Sequence, residues 1–358
     1  MPAGAAAAHT RTPARWPAPP HTGAATPPAV HRGRPAVTHS GHHRRVTPEL
    51  RILLAHEHLP GELRRRLRSG ELTRLRRGAH LPRADGPDGG TPDPRSVAIA
   101  KIRATCASLR APHVVSHASA ALLWGLPLWN VPGATHVRQR GRAAGVHAAD
   151  VVRHHGLPPA WAEIDGCPVT DLAATVLDCV TTMPLLDGLV VADAALARGI
   201  GADELETLLG ASPRRNGRVR AATVLSLADG GAESAWETWL RYVALWAGLP
   251  RPVTQLPVVT HRGTVRVDLA WPAHHVLAEF DGAVKYVDGA FGARYDGRRA
   301  LMEEKRREDA IAEALGVRPL RAVAADARDA ENLARRLIAR FPAEIRASIR
   351  RDRRFPAP

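Results

Sequence analysis

Strict two-residue alternation over a long run leaves a chain little choice but a strand, and residues 265–281 carry it twice. Val265, Val267, Leu269 and Trp271 fall on one face, with Arg266, Asp268 and Ala270 on the other. After Pro272–His275 the pattern resumes, with Val276, Ala278 and Phe280 set against Leu277, Glu279 and Asp281. Two such runs around a four-residue connection read as an antiparallel hairpin. With Pro272–His275 as the loop, 271 faces 276, 269 faces 278 and 268 faces 279. Asp268 then stands opposite Glu279, with Cβ atoms roughly 5 Å apart. The apolar residues share the other face, so a slip of one residue would turn them all outward, and the register is well specified.

Two facing carboxylates repel by roughly 3 kcal/mol at about 5 Å and an effective dielectric of about 20. Such a pair persists when a cation bridges it, when one carboxyl keeps its proton, or when solvent screens it. The same register sets Asp281 opposite Arg266, which gives that third acid a partner. Lys285 and Tyr286 follow, and a helix beginning near Arg298 carries Glu303, Glu304, Lys305, Arg306 and Arg307. Acid, acid and lysine on adjoining strands before a basic helix is the layout of a divalent-metal phosphodiesterase. A hard cation would sit on the carboxylates and polarise a phosphate, while the lysine supports the developing charge. The plain alternative is a solvated outer face.

Upstream, Glu233 to Ala247 reads as a strongly amphipathic helix, with Trp236, Trp239, Leu240, Val243 and Ala247 at core spacing. Glu237 flanks that stripe, about 100° from Trp236. It can reach a site between helix and sheet, or remain a surface acid.

Glu237, Asp268, Glu279–Phe280–Asp281–Gly282, Lys285–Tyr286 and Glu304–Asp309 together resemble the PD-(D/E)XK nuclease superfamily, and within it the small domains related to very-short-patch repair endonucleases. The resemblance implies Mg2+ or Mn2+ held by Asp268 and Glu279. Glu237 would assist the metal or its water, Lys285 would support the transition state, and Lys305, Arg306 and Arg307 would hold the DNA backbone. The usual third motif is Glu-x-Lys, and here its last position is Asp281; Lys285 is the residue that would replace the missing lysine.

A second stretch, Pro60 to Gly78, reads PGELRRRLRSGELTRLRRG, with seven Arg and two Glu. Pro60–Gly61 opens a helix with Leu63 and Leu67 on one face; Ser69–Gly70 closes it. Leu72, Arg74 and Arg76 alternate with Thr73 and Leu75 as a strand that turns at Gly78. A basic helix before a basic hairpin outlines a winged helix, in which the helix enters a major groove and the wing touches phosphate. Arg64, Arg65, Arg68, Arg74, Arg76 and Arg77 are the expected nucleic-acid contacts. This module and Ser116–Leu128 (SHASAALLWGLPL) resemble AbiEi-type antitoxins, the regulators of two-gene type IV toxin–antitoxin systems. His117 in that run reads as a packing or capping residue.

Charge agrees with an anionic partner. Lys plus Arg is 50 against 35 Asp plus Glu, a net +15, which favours nucleic acid over membrane unless it only reflects an Arg-rich composition. Four Phe and three Tyr argue against a stacking surface for single strands. The three cysteines form no Cys-x-x-Cys, which fits a reducing cytosol and excludes a zinc knuckle. No 18-residue apolar run exists, and no Gly-rich phosphate loop occurs.

The expectation is therefore an α/β (α+β) chain. A disordered basic tail (1–46) without an acid precedes a degenerate winged-helix-like module (47–83). An α/β connector or regulator domain (94–230), a restriction-endonuclease-like αβββαβ core (231–345) and a basic tail (346–358) follow. The expected activity is Mg-dependent hydrolysis of DNA phosphodiesters; the alternative is a non-enzymatic autorepressor with an inactive nuclease-like domain. Expected partners are double-stranded DNA and a cognate toxin, in the cytoplasm, with no membrane and no small-molecule cofactor.

Overall fold

The protein is a mixed α/β chain built on three sheets. The computed structural model describes residues 16, 50–83, 93–141, 149–158, 160–213, 216–282, 297–352 and 354–358. They form two units, one within Gly23–Gly230 and one of Gly231–Pro358 together with Trp16. No described helix is long and apolar enough to cross a membrane.

The first unit opens with strand Leu53–Leu54 (β1), helix Pro60–Arg68 (α1) and the hairpin Leu72–Arg76 (β2) and Ala79–Pro82 (β3), in sheet order β1-β3-β2. Proline at the first helical position starts α1, because its missing N–H would have no partner there. Gly78, at φ +77°, makes the hairpin turn. Leu53, Leu63 and Leu72 close a small core beneath. Among the described residues α1 is the one α-helix ahead of the hairpin, so the basic hairpin follows a single α-helix there.

Helix Pro94–Ser108 (α2), capped by Asp93, leads into strands His113–Val115 (β4), Thr135–Gln139 (β5), Val151–His155 (β6), Trp161–Ile164 (β7) and Cys167–Thr170 (β8), with helix His117–Leu123 (α3) after β4. The sheet order is β6-β5-β4-β8-β7, with β5–β6 and β4–β8 parallel. Helices Leu172–Thr182 (α4), Leu185–Leu196 (α5), Ala202–Ala211 (α6) and Arg218–Leu227 (α7) complete the unit. Gly217, at φ +78°, brings the chain so close that an added Cβ would meet the Thr181 carbonyl oxygen at 1.9 Å.

In the second unit helix Ala235–Trp246 (α8) precedes Val253–Thr260 (β9), Gly263–Trp271 (β10) and Val276–Asp281 (β11). Helix Gly297–Leu315 (α9), strand Leu320–Val323 (β12) and helices Ala330–Ile338 (α10) and Ala343–Ser348 (α11) follow. The element order αβββαβ is the expected one, in a sheet β12-β11-β10-β9 with β11–β12 parallel. The hairpin register is also as expected: 269 pairs with 278 and 271 with 276.

Three details differ. The acid-bearing face is not solvated: Ile311 and Leu315 of α9 pack on Leu277, while Trp236 and Trp239 of α8 hold Phe280 on the opposite face. The carboxy-terminal residues are no loose tail, since Phe355 is buried, Tyr242 donates to the Pro356 carbonyl and Arg351 lies 4.3 Å over the Trp246 ring. Residues 1–46, expected to be disordered, lie outside the described residues except Trp16, which stacks on His275 with ring centroids 4.9 Å apart.

Candidate functional site

The paired register of β10 and β11 ends at Leu269 and Ala278, one residue short of Asp268 and Glu279. Asp268 Oδ2 accepts the Phe280 N–H at 2.8 Å, so the carboxylate stands in for a ladder carbonyl where β10 and β11 part. Glu279 is 2% exposed. Its Oε1 accepts from Arg307 of α9 at 2.7 Å, and its Oε2 lies 3.5 Å from Arg321 of β12. Burial pushes the Glu279 carboxyl up, and the two guanidinium groups pull it part of the way back. Arg321 also binds Glu304 at 2.7 Å and stands 3.6 Å from Glu308 and 3.9 Å from Asp281. Arg307 binds Glu304 at 3.1 Å and donates to the Arg266 carbonyl. Against the penalty of burial, Arg321 and Arg307 hold the Glu304 carboxyl below its ordinary range. Arg321 of the parallel neighbour comes within 3.9 Å of Asp281, where the hairpin alone had suggested Arg266.

Glu237 sits at the start of α8, where Ser234 caps the helix. Its carboxylate accepts from the Glu233 N–H, the Ser234 hydroxyl and Gln255 Nε2, at 2.8, 2.8 and 3.0 Å. Gln255 reaches toward Asp268 Oδ1 at 3.4 Å, so one amide links the two acids. Burial, and then the Asp268 charge, raise the Glu237 carboxyl to about 7. The three expected acids therefore gather at one end of the sheet. Lys285 lies outside the described residues.

A hard divalent cation needs several oxygens converging on one point. Here the oxygens are turned to the Phe280 amide, the start of α8 and two arginines. Glu237, Asp268 and Glu279 do not bring three ligand atoms within 4.8 Å of one another; among the described residues another cluster does so. As arranged, the set does not fit Mg2+ or Mn2+, and Arg307 and Arg321 supply the positive charge.

The expected phosphate contacts divide. Arg64, Arg65, Arg68, Arg74 and Arg77 are exposed on α1 and β2 or the turn after it. Arg76 is not: it binds Asp150 at 2.8 Å, Ser108 at 2.5 Å and the Ala104 carbonyl at 3.2 Å. Lys305 and Arg306 are exposed on α9, with Arg306 paired to Glu303 at 2.7 Å. Arg307 faces inward to Glu279.

The cluster that sequence reasoning misses is His117, His136 and His154, whose ligand atoms lie within 4.8 Å of one another. Burial lowers the affinity of His136 for its second proton. His117 stands out in the sequence only as a packing residue, and it is indeed buried at the start of α3. His136 and His154 carry no signal in the sequence, because β5 and β6 bring them together only when paired.

No family model matches the chain. Two proteins of Mycobacterium tuberculosis, each named only as uncharacterized, are 33% identical to it over 143 residues: MT2308 of strain CDC 1551 / Oshkosh and Rv2248 of strain ATCC 25618 / H37Rv. The match covers 39% of this chain and 53% of each relative, so the chain spans about half the length of the relatives it matches. The crystal structure of RV2827C protein from the same species is 21% identical over 46% of this chain and 64% of that one, with a TM-score of 0.31.

Proposed function

We propose that this chain is a cytoplasmic duplex-DNA-binding regulator, similar to an AbiEi-type antitoxin, whose nuclease-like unit binds or scaffolds and does not cut. The observation that carries the non-hydrolytic reading is Glu279, a buried carboxylate bracketed by Arg307 at 2.7 Å and Arg321 at 3.5 Å. A metal nuclease needs that carboxylate for the ion that polarises phosphate. Exposed Arg64, Arg65, Arg68, Arg74 and Arg77 support the DNA contact, since arginine positions a protein on the duplex through phosphate. A cognate toxin is the protein partner that the resemblance implies.

The test pairs two assays on the full chain. Binding to the DNA upstream of its own gene is expected, with no nicking of supercoiled plasmid in Mg2+ or Mn2+. Cleavage that EDTA and Asp268→Asn both abolish would replace this reading with the hydrolytic one.

A further inference from the structure

The histidine cluster is separate from the acids and arginines above, and it has the chemistry of a metal centre. His136 Nδ1 and His154 Nε2 are 3.1 Å apart. Around a tetrahedral zinc with Zn–N of about 2.0–2.1 Å, two ligand nitrogens stand roughly 3.3–3.4 Å apart. These two rings are thus within a few tenths of an ångström of ligating spacing. The third ring, His117, keeps its ligand atom within 4.8 Å of both.

The supports are of the kind a metal site uses. His136 and His154 lie diagonally on adjacent parallel strands, since His136 pairs with Val152 and Arg138 with His154, and strands hold side chains more tightly than loops do. His117 Nδ1 lies 2.9 Å from Ser116 Oγ and 3.5 Å from Asp178 Oδ2. A carboxylate on one ring nitrogen fixes the tautomer that offers the other nitrogen to a metal. Asp178 is itself pinned by Arg138 through both oxygens. His117 also adopts φ +54°, a left-handed conformation that costs a non-glycine residue energy and recurs where a side chain must be aimed. The site is reachable, because His136 and His154 are half-buried.

We propose that His117, His136 and His154 bind one first-row transition-metal ion, with zinc(II) the best-suited species and a water or ligand oxygen at its fourth position. Three imidazoles select zinc, cobalt, nickel or copper over magnesium and calcium, which require oxygen. Binding requires one adjustment. The His117 and His154 rings are stacked, with centroids 3.5 Å apart and planes 13° from parallel, so one of them must turn about its χ2 bond for both lone pairs to meet. That torsion is broad for histidine. The proposal stands whether or not the DNA-binding reading does.

The experiment uses the EDTA-stripped full chain, re-equilibrated with Zn2+ and, separately, Co2+. Metal content and the visible d–d absorption of Co2+ are compared in the parent, His136→Gln and His154→Gln. The six histidines of residues 1–46 are common to all three proteins and cancel in the difference. Each variant is expected to hold one equivalent less than the parent and to lose the tetrahedral Co2+ band. Should a variant fail to fold, histidine side-chain 15N spectra of the parent decide: Zn2+ should shift three imidazoles together at one equivalent. Equal metal content in parent and folded variants, or no imidazole shift on these three residues, would overturn the site and leave a packed hydrogen-bonded cluster.

Discussion

Between Pro60 and Arg77, Arg64, Arg65, Arg68, Arg74 and Arg77 remain exposed, whereas α9 sets acids one turn before its arginines, pairing Arg306 with Glu303 and Arg307 with Glu304. The first segment holds seven Arg against two Glu, so beyond Arg66, which pairs with Glu62 and Glu71, its arginines have no local acid. Each segment nevertheless sends one arginine inward: Arg76 to Asp150 and Arg307 to Glu279. A basic run is thus two populations, one paired inside the fold and one left exposed. The deciding factor is whether a buried or half-buried acid lies within reach.

Removing the inward arginines should give the largest effects. Arg307→Ala leaves Glu279 buried with Arg321 as its remaining cation, and should cost about 3 kcal/mol in urea unfolding at neutral pH. Arg76→Ala should cost about 2 kcal/mol, because the Asp150 carboxylate is more exposed and water can replace part of the pair. An outward neighbour such as Arg77→Ala should stay within about 0.5 kcal/mol of the parent. Inward and outward variants of equal stability would erase the distinction.

An acid contrast is next in size. Glu237 titrates near 7 when folded against an ordinary 4.5. The folded state therefore binds the extra proton between those values, and stability is highest below the lower one and falls as pH rises through the upper one. Each pK unit is about 1.4 kcal/mol, less about 1 kcal/mol for a capping bond that glutamine cannot replace. Glu237→Gln should then stabilise the protein by on the order of 2 kcal/mol near pH 8 and do nothing useful near pH 4. Parallel stability–pH curves for parent and variant would show that Glu237 is an ordinary surface cap.

The smallest effects separate the outward arginines of the two segments. Arg74→Ala with Arg77→Ala should lower the slope of log K against log salt by about 0.9 for each phosphate no longer neutralised, measured by fluorescence anisotropy on a duplex. Lys305→Ala with Arg306→Ala should leave that slope nearly unchanged. The opposite ranking would move the proposed DNA contact to α9.

Local signals are legible wherever one period or one cap decides an element. The alternation at 265–281 specifies the hairpin and its register, and the Trp236–Ala247 spacing specifies α8, although the structure buries every residue from Thr238 to Ala247 and not one stripe alone. Strand β7 escapes a reading by period, although Asp165–Gly166, both at positive φ, is the two-residue turn that joins it to β8; Trp161–Ile164 alternates weakly because it is an edge. Pairing across the sequence is not legible. That α9 covers Glu279, that Arg321 comes within 3.9 Å of Asp281, and that three histidines from α3, β5 and β6 meet all depend on contacts between elements far apart in the chain. Many of the helices and strands could be read from the order of residues alone, because they follow from periods of 3.6 and 2. Which charges are neutralised inside the protein could not, because an ion pair depends on the distance between two side chains, and that distance exists only after the sheet is assembled and roofed.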